Sequence, residues 1–410
     1  MKIKEISFKN NAHTWELEPT KFSDLTLLVG ASGVGKTQIL NSIMKLVKIS
    51  NGDVYNGVEW DLSFTGDNNE NYRWIGEFEA IKGERKQVFE EKDINEGVGF
   101  KQIPKLLMEK LYLEGELVFE REGNAVIYEK KEAPKISPHK SVLNLFTTEN
   151  KIIPVKEAFD KITFLDYQRE KKFRIPSEFD EKMKNEMPRY APELENRYLD
   201  EVLGEKSRFF FLEPFLEKMS HSEKFFVLTI LDAPFALIFK LFIAAMYLNG
   251  RFVDIVEDFK DVFPRVEDVR FELLEDKERY ELQIKERDTG WIPTGEISDG
   301  MFKTLLHIAE IKLLTPGFVV LIDEFENSLG VNCIDTVAGN LIDRGKDLQY
   351  IITSHHPYII NNIDMKHWQV VVRKGTKVST KTPQQLKLGK SKHEAFKQLL
   401  NTEEFSEGIS

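Results

Sequence analysis

Three short stretches of this sequence carry the residue types that phosphate chemistry requires. The first is the run GASGVGKT, residues 30–37, in which a lysine and a hydroxyl residue follow closely spaced glycines. The second is the acid pair Asp323-Glu324, and the third is the polar run TSHH, residues 353–356. Backbone N–H groups and lysines bind phosphate oxygens, carboxylates bind metal ions, and histidine titrates near neutral pH. Together these residue types predict a site for a phosphorylated ligand.

The glycine-rich run matches the pattern G-x-x-x-x-G-K-[ST], which is specific for nucleotides. Its glycines let consecutive N–H groups turn inward around the β- and γ-phosphates. Lys36 is expected to reach those phosphates, and the Thr37 hydroxyl is expected to bind Mg²⁺. The residues predicted to bind the nucleotide in this run are Gly30, Ser32, Gly33, Val34, Gly35, Lys36, Thr37 and Gln38. The run therefore predicts a nucleoside triphosphate with Mg²⁺, while no aromatic residue stands out as the platform for its base.

The acid pair and the polar run supply what hydrolysis needs beside a phosphate loop. We assign Asp323 to the Mg²⁺ shell and Glu324 to orienting the attacking water. A histidine of the polar run, His355 or His356, could bond the γ-phosphate or that water. The structural alternative is an ordinary acidic strand end with an incidental histidine, and the phosphate loop makes it the weaker interpretation.

Apolar runs predict the elements that must position these residues. Residues 25–29, 318–322 and 348–352 read as buried strands, each ending at one of the three polar stretches. After Thr37 the apolar residues recur at helical spacing, and Asn51-Gly52 is expected to end that helix. Strands that alternate with helices indicate a parallel sheet with right-handed crossovers.

A fourth stretch, Ser298-Asp299-Gly300, stands at the start of a predicted helix. Serine is a common helix N-cap, so alone the stretch is a weak signal, but a helix N-terminus also binds anions. With GASGVGKT, LIDEFENSL and TSHHP in this order, the sequence resembles the ABC-type ATPases, within them the group of OLD-family, RecF-like and SMC-like proteins. The resemblance implies an α/β P-loop ATPase with a β-rich N-terminal lobe, a doubly wound sheet and a large, mainly helical insertion.

The resemblance also implies a mechanism that uses ATP, Mg²⁺ and two subunits. ATP on one subunit would be closed by Ser298 and Gly300 of the other, packed head to tail. The family's switch histidine precedes a proline by two residues, which favours His355. Residues 326–329 resemble the loop that lines the dimer seam, and Gln168 is the candidate for the family's metal-contacting glutamine.

Some residues differ from the family's usual pattern, and these differences argue against two of its classes of protein. Asp299 and Met301 replace the glycine and glutamine of transporter subunits, so a transporter role is not expected. Six prolines between residues 176 and 264 interrupt any heptad run and argue against a long coiled coil. We predict three parts: residues 1–165 with the phosphate loop and β-rich strands, 166–290 mainly helical with returning strands, and 291–410 completing the ATPase core.

The amino-acid composition limits the cellular compartment and the binding partners that we expect for this chain. The single cysteine, Cys333, excludes a disulfide framework, and the apolar segment 225–250 is broken by Asp232, Pro234 and Lys240, so a cytoplasmic chain without a membrane helix is expected. The net charge of −11 argues against general nucleic-acid coating. One segment, residues 373–397, is nevertheless basic and could be a solvated edge or a phosphate-binding face. Its cationic residues are Arg373, Lys374, Lys377, Lys381, Lys387, Lys390, Lys392 and Lys397.

Two functions follow from the resemblance, and a third from the phosphate loop. The first is the ATPase of a bacterial anti-phage system, resembling the Septu and PARIS ATPases, which forms a homo-oligomer and gates a separate effector such as a nuclease. The second is a RecF-like repair ATPase that binds DNA, for which the basic segment is the best support. The third is a switch that binds ATP but scarcely hydrolyses it, against which Glu324 counts.

Overall fold

The computed structural model describes residues 1–82, 88–89, 103–173, 175–176, 227, 230–232, 235–275, 279–326, 347–389 and 392–402. Internal contacts divide the chain into two compact units. Unit 1 comprises Met1–Phe164, Gly317–Phe325 and Leu348–Ser410, and unit 2 comprises Leu165–Pro316 and Glu326–Asp347.

Unit 1 is built mainly of strands. They are β1 (Lys2–Asn10), β2 (Trp15–Lys21), β3 (Leu25–Val29), β4 (Val54–Tyr55), β5 (Val58–Thr65), β6 (Asn71–Phe78), β7 (Val88–Phe89), β8 (Leu106–Leu113), β9 (Glu116–Glu122), β10 (Ala125–Tyr128), β11 (Lys131–Glu132), β12 (Ile162–Phe164), β17 (Val319–Ile322), β18 (Gln349–Ser354), β19 (Trp368–Lys374) and β20 (Lys377–Lys381). Its helices are α1 (Lys36–Ser50), α2 (Val142–Leu145), α3 (Ile153–Asp160), α8 (Pro357–Asn362) and α9 (Lys392–Leu400), with a 3₁₀ turn at Met365–His367.

Fourteen strands of unit 1 form one sheet, in the order β11-β10-β9-β8-β6-β5-β1-β2-β20-β19-β3-β18-β17-β12. The block β19, β3, β18, β17 and β12 is parallel, whereas β1, β5, β6 and β8–β11 pair antiparallel, and β4 and β7 form a separate antiparallel pair. Every residue of β3, β17 and β18 is buried, as in parallel strands covered on both faces. The predicted α/β class is therefore confirmed, as are the three strands that end at the polar stretches.

Helix α1 follows the phosphate loop and packs one apolar face into the core. Ile39, Ile43 and Leu46 lie on that face and are buried. The helix ends at Asn51, and the left-handed Gly52 (φ 103°) donates its N–H to the Ile49 carbonyl. Glycine suits this C-terminal position because it adopts positive φ without steric cost. The predicted end of the helix is confirmed.

The antiparallel part of unit 1 has an aromatic core with one buried acid. Trp74 packs edge-on against Trp60, with ring centroids 4.9 Å apart. The Trp74 indole N–H donates to the Glu109 carboxylate at 2.9 Å, and the Val142 N–H donates to the same group at 2.8 Å. Burial raises the pKa of Glu109. These bonds compensate much of the cost of removing the carboxyl group from water and fix α2 beneath the sheet.

Unit 2 contains four described helices and a small antiparallel sheet. The helices are α4 (Tyr167–Lys172), α5 (Leu237–Tyr247), α6 (Asn249–Val262) and α7 (Asp299–Leu313). The strands are β13 (Ile175–Pro176), β14 (Val266–Leu273), β15 (Arg279–Glu286) and β16 (Gly290–Pro293). The return to strands after residue 265 is as predicted. In α5, which is the described core of the apolar segment, eight residues are buried. Within the described ranges no helix is long and apolar enough to cross a membrane.

The two units divide the chain differently from the three predicted parts. The first break, between residues 164 and 165, lies one residue from the predicted boundary. Helix α7, which we placed with the C-terminal part of the ATPase core, falls in unit 2 because it packs against α5 and α6. Tertiary packing decided this assignment, since the local sequence around residue 291 shows no break.

A buried polar cluster joins α4 to α7 within unit 2. The Tyr167 hydroxyl lies 2.7 Å from His307 Nε2, and His307 is fully buried. Glu170, one turn further along α4, accepts N–H bonds from Leu237 (3.0 Å) and Ile238 (2.8 Å) at the start of α5. Its carboxylate therefore accepts hydrogen bonds from backbone N–H groups at that helix end, which have no acceptor within the helix. Helix α4 is thus bonded to both of its helical neighbours.

Candidate functional site

A cleft of about 290 Å³ lies at the carboxyl edge of the parallel block, where β3, β17 and β18 end. Its lining residues are Ser32, Gly33, Gly35, Lys36, Thr37, Gln38, Asp323, Glu324, Thr353, His355 and Arg373. All of them belong to unit 1. Three stretches that are far apart in the sequence therefore meet at one place, as their strand-end positions predicted.

The phosphate loop requires glycine where it passes neighbouring strands. Gly35 has φ 113°, and a Cβ there would lie 3.0 Å from the Val378 side chain of β20. Gly30 approaches β19 so closely that a Cβ would lie 2.7 Å from the Val371 carbonyl oxygen. The side chain of Val34 is buried in the core of unit 1, so at this predicted position only the backbone is available to a nucleotide.

Lys36 is folded back over the phosphate loop. Its Nζ donates to the Gly30 carbonyl at 2.7 Å and to the Ala31 carbonyl at 2.8 Å, and the residue is buried. Ser32, Gly33, Thr37 and Gln38 are exposed around it. The ammonium group is thus already held at the opening of the loop, where a phosphate would replace the two carbonyl oxygens as its partner.

The acid pair is joined to the loop by a chain of hydrogen bonds through Thr353. Thr37 Oγ1 donates to Asp323 Oδ2 at 2.8 Å, and Thr353 Oγ1 donates to Asp323 Oδ1 at 2.6 Å. Thr353 Oγ1 in turn accepts the Glu324 N–H at 2.8 Å. Thr353 was not among the predicted site residues, although its place at the end of a buried strand was visible. One hydroxyl group therefore contacts the Asp323 carboxylate and the backbone of Glu324.

Glu324 has an unusual backbone. Its φ of 45° lies in the left-handed region, which non-glycine residues seldom adopt. Such conformations cost energy and persist where the surroundings determine them, and they concentrate at functional sites. Here the N–H bond to Thr353, together with the bond from Phe325 N to the Thr353 carbonyl (3.0 Å), holds the turn.

The oxygen atoms of Thr37 and Asp323 suit Mg²⁺. Both are hard oxygen donors, and they already lie 2.8 Å apart. No group of three or more His, Cys, Asp or Glu side chains forms a metal site in the described part of the chain. Mg²⁺ does not require one, because it is usually held by one or two protein ligands together with phosphate oxygens and water. The remaining predicted ligand, Gln168, lies in α4 of unit 2, and its side chain is outside the described part.

The two histidines of the polar run have different surroundings. His355 is exposed and lines the cleft. His356 is the N-cap of α8, where its Nδ1 accepts the Tyr358 N–H at 3.2 Å. His355 therefore lies in the cleft where the contact with the nucleotide was predicted, whereas His356 caps α8.

The Ser298 turn lies in unit 2, and two of its three residues are exposed. Ser298 is the N-cap of α7 and accepts the Met301 N–H at 3.3 Å. Lys171 of α4 supports the turn, since its Nζ donates to the Ile297 carbonyl at 2.5 Å and to Asp299 Oδ1 at 2.8 Å. Sequence reasoning missed Lys171, and nothing local could have linked it to Asp299. Of the predicted seam loop, Glu326 is described, while residues 327–329 lie outside the described ranges.

The described cationic residues of the basic segment have different surroundings. Arg373 lines the cleft, and Lys377 Nζ lies 3.5 Å from the Glu16 carboxylate. Lys374, Lys387 and Lys397 are exposed. Lys390 and the side chain of Lys392 lie outside the described part.

A second cleft, of about 450 Å³, runs along α1. Its lining residues are Asn10, His13, Trp15, Gln38, Asn41, Met44, Lys45, Lys48 and Tyr55. It shares Gln38 with the first cleft and has two aromatic residues, which the sequence alone did not single out. Burial lowers the pKa of Lys45 in its wall.

Comparisons with known proteins gave one family and a set of solved structures. Residues 25–361 match the family described as "AAA domain, putative AbiEii toxin, Type IV TA system". No curated protein matches the chain. The match spans the phosphate loop, the acid pair and the polar run.

Three similar solved structures are SMC heads. An Smc head with an extended coiled coil, bound to the C-terminal domain of ScpA from Pyrococcus furiosus, has 14% identity and a TM-score of 0.45, covering 94% of this chain and 98% of that chain. An SmcHead bound to the C-winged helix domain of ScpA has 13% identity and a TM-score of 0.42, covering 93% and 98%. The SMC head domain from Thermotoga maritima has 13% identity and a TM-score of 0.41, covering 93% and 99%.

Proposed function

Because the chain belongs to the AAA-domain family, whose model spans residues 25–361, we propose that it binds ATP with Mg²⁺ and hydrolyses it. The observation that carries this proposal is the hydrogen-bond chain from Thr37 through Asp323 and Thr353 to Glu324, at the opening of the phosphate loop. It supports the proposal because Thr37 and Asp323 offer oxygen ligands for a metal ion, and Glu324 offers a carboxylate for water, beside the loop that would bind the phosphates.

Each residue has a separate task in the proposed reaction. The loop N–H groups and Lys36 bind the β- and γ-phosphates, while Thr37 and Asp323 would hold Mg²⁺. Bound Mg²⁺ would neutralise negative charge on the phosphates. Glu324 accepts a hydrogen bond from the attacking water and orients it, and His355 contacts the γ-phosphate or that water. We assign the base to the second cleft, which shares Gln38 with the first and is lined by Trp15 and Asn10.

Hydrolysis and binding are tested with two variants of the site. Lys36→Ala should weaken ATP binding about 10- to 100-fold, because a charge-assisted bond to phosphate is lost. Glu324→Gln should retain ATP binding and lower kcat by about two to four orders of magnitude. The control is Glu116→Gln, at an exposed acid of β9. A wild-type protein without ATPase activity, or a Glu324→Gln protein with normal kcat, would contradict the proposal.

We further propose that two copies pack head to tail around ATP, so that Ser298 and Gly300 of one copy close the site of the other. The support is an exposed helix N-terminus, held in place by Lys171. Light scattering of Glu324→Gln should show a larger mass with Mg-ATP than without it, and Ser298→Arg should prevent the increase. An unchanged mass in both conditions would contradict the dimer.

The biological role that we propose is the control of a separately encoded effector in anti-phage defence. The family description, which names a putative toxin of a "Type IV TA system", supports a role beside a partner. Phage plating on a bacterial host that carries the gene with its chromosomal neighbours tests it. Protection should be lost with Lys36→Ala, and equal plating with and without the wild-type gene would contradict this role.

The alternative is a DNA-binding repair ATPase. The exposed Lys374, Lys387 and Lys397 favour it. It predicts duplex binding that strengthens with ATP and weakens steeply with salt. Binding of that kind, together with an unchanged plating efficiency, would replace the defence role.

A further inference from the structure

Arg373 is the cation of the nucleotide cleft that no motif accounts for. It lies near the end of β19, which pairs parallel with β3 so that Val370 stands opposite Val29. Three residues past that pair, Arg373 is level with the phosphate loop that follows β3. Its Nη1 lies 3.5 Å from the Gly33 carbonyl, and its Nε donates to the Gly375 carbonyl at 2.8 Å. The guanidinium group is therefore anchored at one nitrogen beside the loop.

Strand order decides which part of a nucleotide Arg373 can meet. In the strand order β17-β18-β3-β19, Asp323, Glu324 and His355 follow strands on one side of β3, and Arg373 lies near the end of the strand on the other side. The phosphate that is transferred must lie toward the acids, because they bind the metal ion and orient the water. Arg373 consequently faces the phosphates nearer the ribose.

We propose that Arg373 is a nucleotide-binding residue whose guanidinium group contacts the non-transferred phosphates of ATP. This proposal rests on the ATPase function proposed above. Arg373 would strengthen the binding of ATP and of ADP by the same factor. It would stabilise the bound substrate and the transition state equally and so would not accelerate the chemical step.

The charges in the cleft give the contact a physical reason. Asp323 and Glu324 would lie beside a bound polyphosphate, and the lysine and arginine among the lining residues are Lys36 and Arg373. Arginine presents a planar fork of donors that matches two phosphate oxygens, and its charge does not depend on pH in the physiological range. The hydrogen bond from Nε to Gly375 fixes the side chain before binding, so little side-chain entropy is lost when the contact forms.

The next residue provides a matched control. Lys374 carries the same charge, is exposed and does not line the cleft. Successive side chains of a strand point to opposite faces, so Lys374 and Arg373 are directed apart. If residues 373–397 instead act as a DNA-binding surface, both residues should matter equally for DNA and neither for nucleotide.

The test is calorimetric titration with two nucleotides. The full chain is titrated with Mg-ADP, and the chain carrying Glu324→Gln is titrated with Mg-ATP. Each titration is repeated with Arg373→Ala, Arg373→Lys or Lys374→Ala added. Arg373→Ala should raise Kd about 10- to 100-fold for both nucleotides. In the protein that keeps Glu324, steady-state kinetics of Arg373→Ala should show KM raised by the same factor, with kcat unchanged within about threefold. Arg373→Lys should recover part of the affinity, since it keeps the charge without the fork. Lys374→Ala should equal wild type.

Three results would overturn the proposal. Equal Kd values for Arg373→Ala and wild type would remove Arg373 from the site and leave the ATPase function intact. A loss confined to ATP, or a fall in kcat at unchanged Kd, would assign Arg373 to the transferred phosphate. Absence of nucleotide binding by the wild-type chain would refute both proposals. If Arg373→Ala lowers the melting temperature, Arg373→Gln, which keeps a side chain of similar length, replaces it in the titrations.

Discussion

At the residue scale, the site depends on Thr353, a residue of the polar run for which the sequence predicted no role. Thr353 Oγ1 donates to the Asp323 carboxylate and accepts from the Glu324 backbone N–H, so it orients the first side chain and holds the backbone of the second residue. The phosphate loop could be predicted from sequence because its chemistry is local. Thr353 and Arg373 could not, because their roles depend on which strands lie beside β3, and that order is set by pairing between distant residues.

The first prediction concerns Thr353→Val. Valine keeps the shape of threonine but leaves the Glu324 N–H and one Asp323 oxygen without their partner. We expect kcat for ATP to fall at least about tenfold and the free energy of unfolding to fall by about 1–3 kcal/mol. Thr353→Ser, which keeps the hydroxyl group, should remain within about threefold of wild-type kcat. Steady-state kinetics and urea unfolding measure both, and a fully active Thr353→Val protein would show that Thr353 does not position the acids.

The second prediction concerns Gly35→Ala. Because Gly35 has φ 113° and its Cβ would meet Val378 at 3.0 Å, the loop must shift to accept alanine. We expect Kd for Mg-ADP to rise at least about tenfold, since the N–H groups lose their alignment. Gly123→Ala in the β9–β10 turn is the control, because its φ is also positive (56°) and a Cβ there meets nothing within 4 Å. Equal Kd values for the two variants would contradict the prediction.

At the element scale, unit 2 is held together by polar groups as well as by its apolar helices. Helix α4 contacts α7 through Tyr167 and Lys171, and α5 through Glu170. The strands and the long helices were visible in the sequence as apolar patterns. These contacts were not, because a charged six-residue helix looks like a solvated surface segment until its neighbours are known.

The third prediction follows from His307. Burial, together with the nearby Lys303, holds the pKa of His307 well below its usual value of 6.5. Below about pH 6.5 the unfolded chain therefore takes up a proton that the folded chain does not. The stability that the neutral histidine provides is complete above that pH and is lost at up to about 1.4 kcal/mol per unit as the pH falls toward the folded-state pKa.

The measurement is urea unfolding of wild type and His307→Leu at about pH 7.5 and about pH 5.5. The difference in the free energy of unfolding should move in favour of His307→Leu as the pH falls. Glu109 and Glu170, whose raised pKa values act in the opposite direction, are present in both proteins and cancel in the difference. A difference that does not change with pH would mean that the pKa of His307 is the same in the folded and the unfolded protein.

At the scale of the whole molecule, the nucleotide cleft lies in unit 1 and the Ser298 turn in unit 2. Each unit has a core of its own, and the order of motifs in the sequence did not show which core would receive α7. The reason is that the unit to which α7 belongs depends on its packing against α5 and α6, which are distant in the sequence or separated from it by strands. The motifs therefore indicate the residues of the site more directly than they indicate the boundaries between domains.

The fourth prediction concerns the unfolding of the whole chain. A ligand that binds only the folded state adds RT ln(1 + [L]/Kd) to its stability, or about 2.7 kcal/mol at about 100 times Kd. Mg-ADP should therefore raise the melting temperature of wild type, and the shift should be absent or much reduced in Lys36→Ala. Because the cleft belongs to unit 1, intrinsic fluorescence of Trp60 and Trp74, buried in that unit, should report the shift. An equal shift in Lys36→Ala would place the nucleotide elsewhere.

The left-handed backbone of Glu324 also has a genetic consequence. Single-nucleotide changes in a glutamate codon reach Gln, Lys, Asp, Gly, Ala and Val. Among these, glycine and aspartate tolerate a φ of 45° best, and valine tolerates it least. The mutational step that removes the carboxylate at the lowest folding cost is therefore Glu324→Gly. If Glu324 and the dimer act as proposed, such an allele would yield a folded, inactive chain, which in a cell with one intact copy would join mixed dimers and act as a dominant negative.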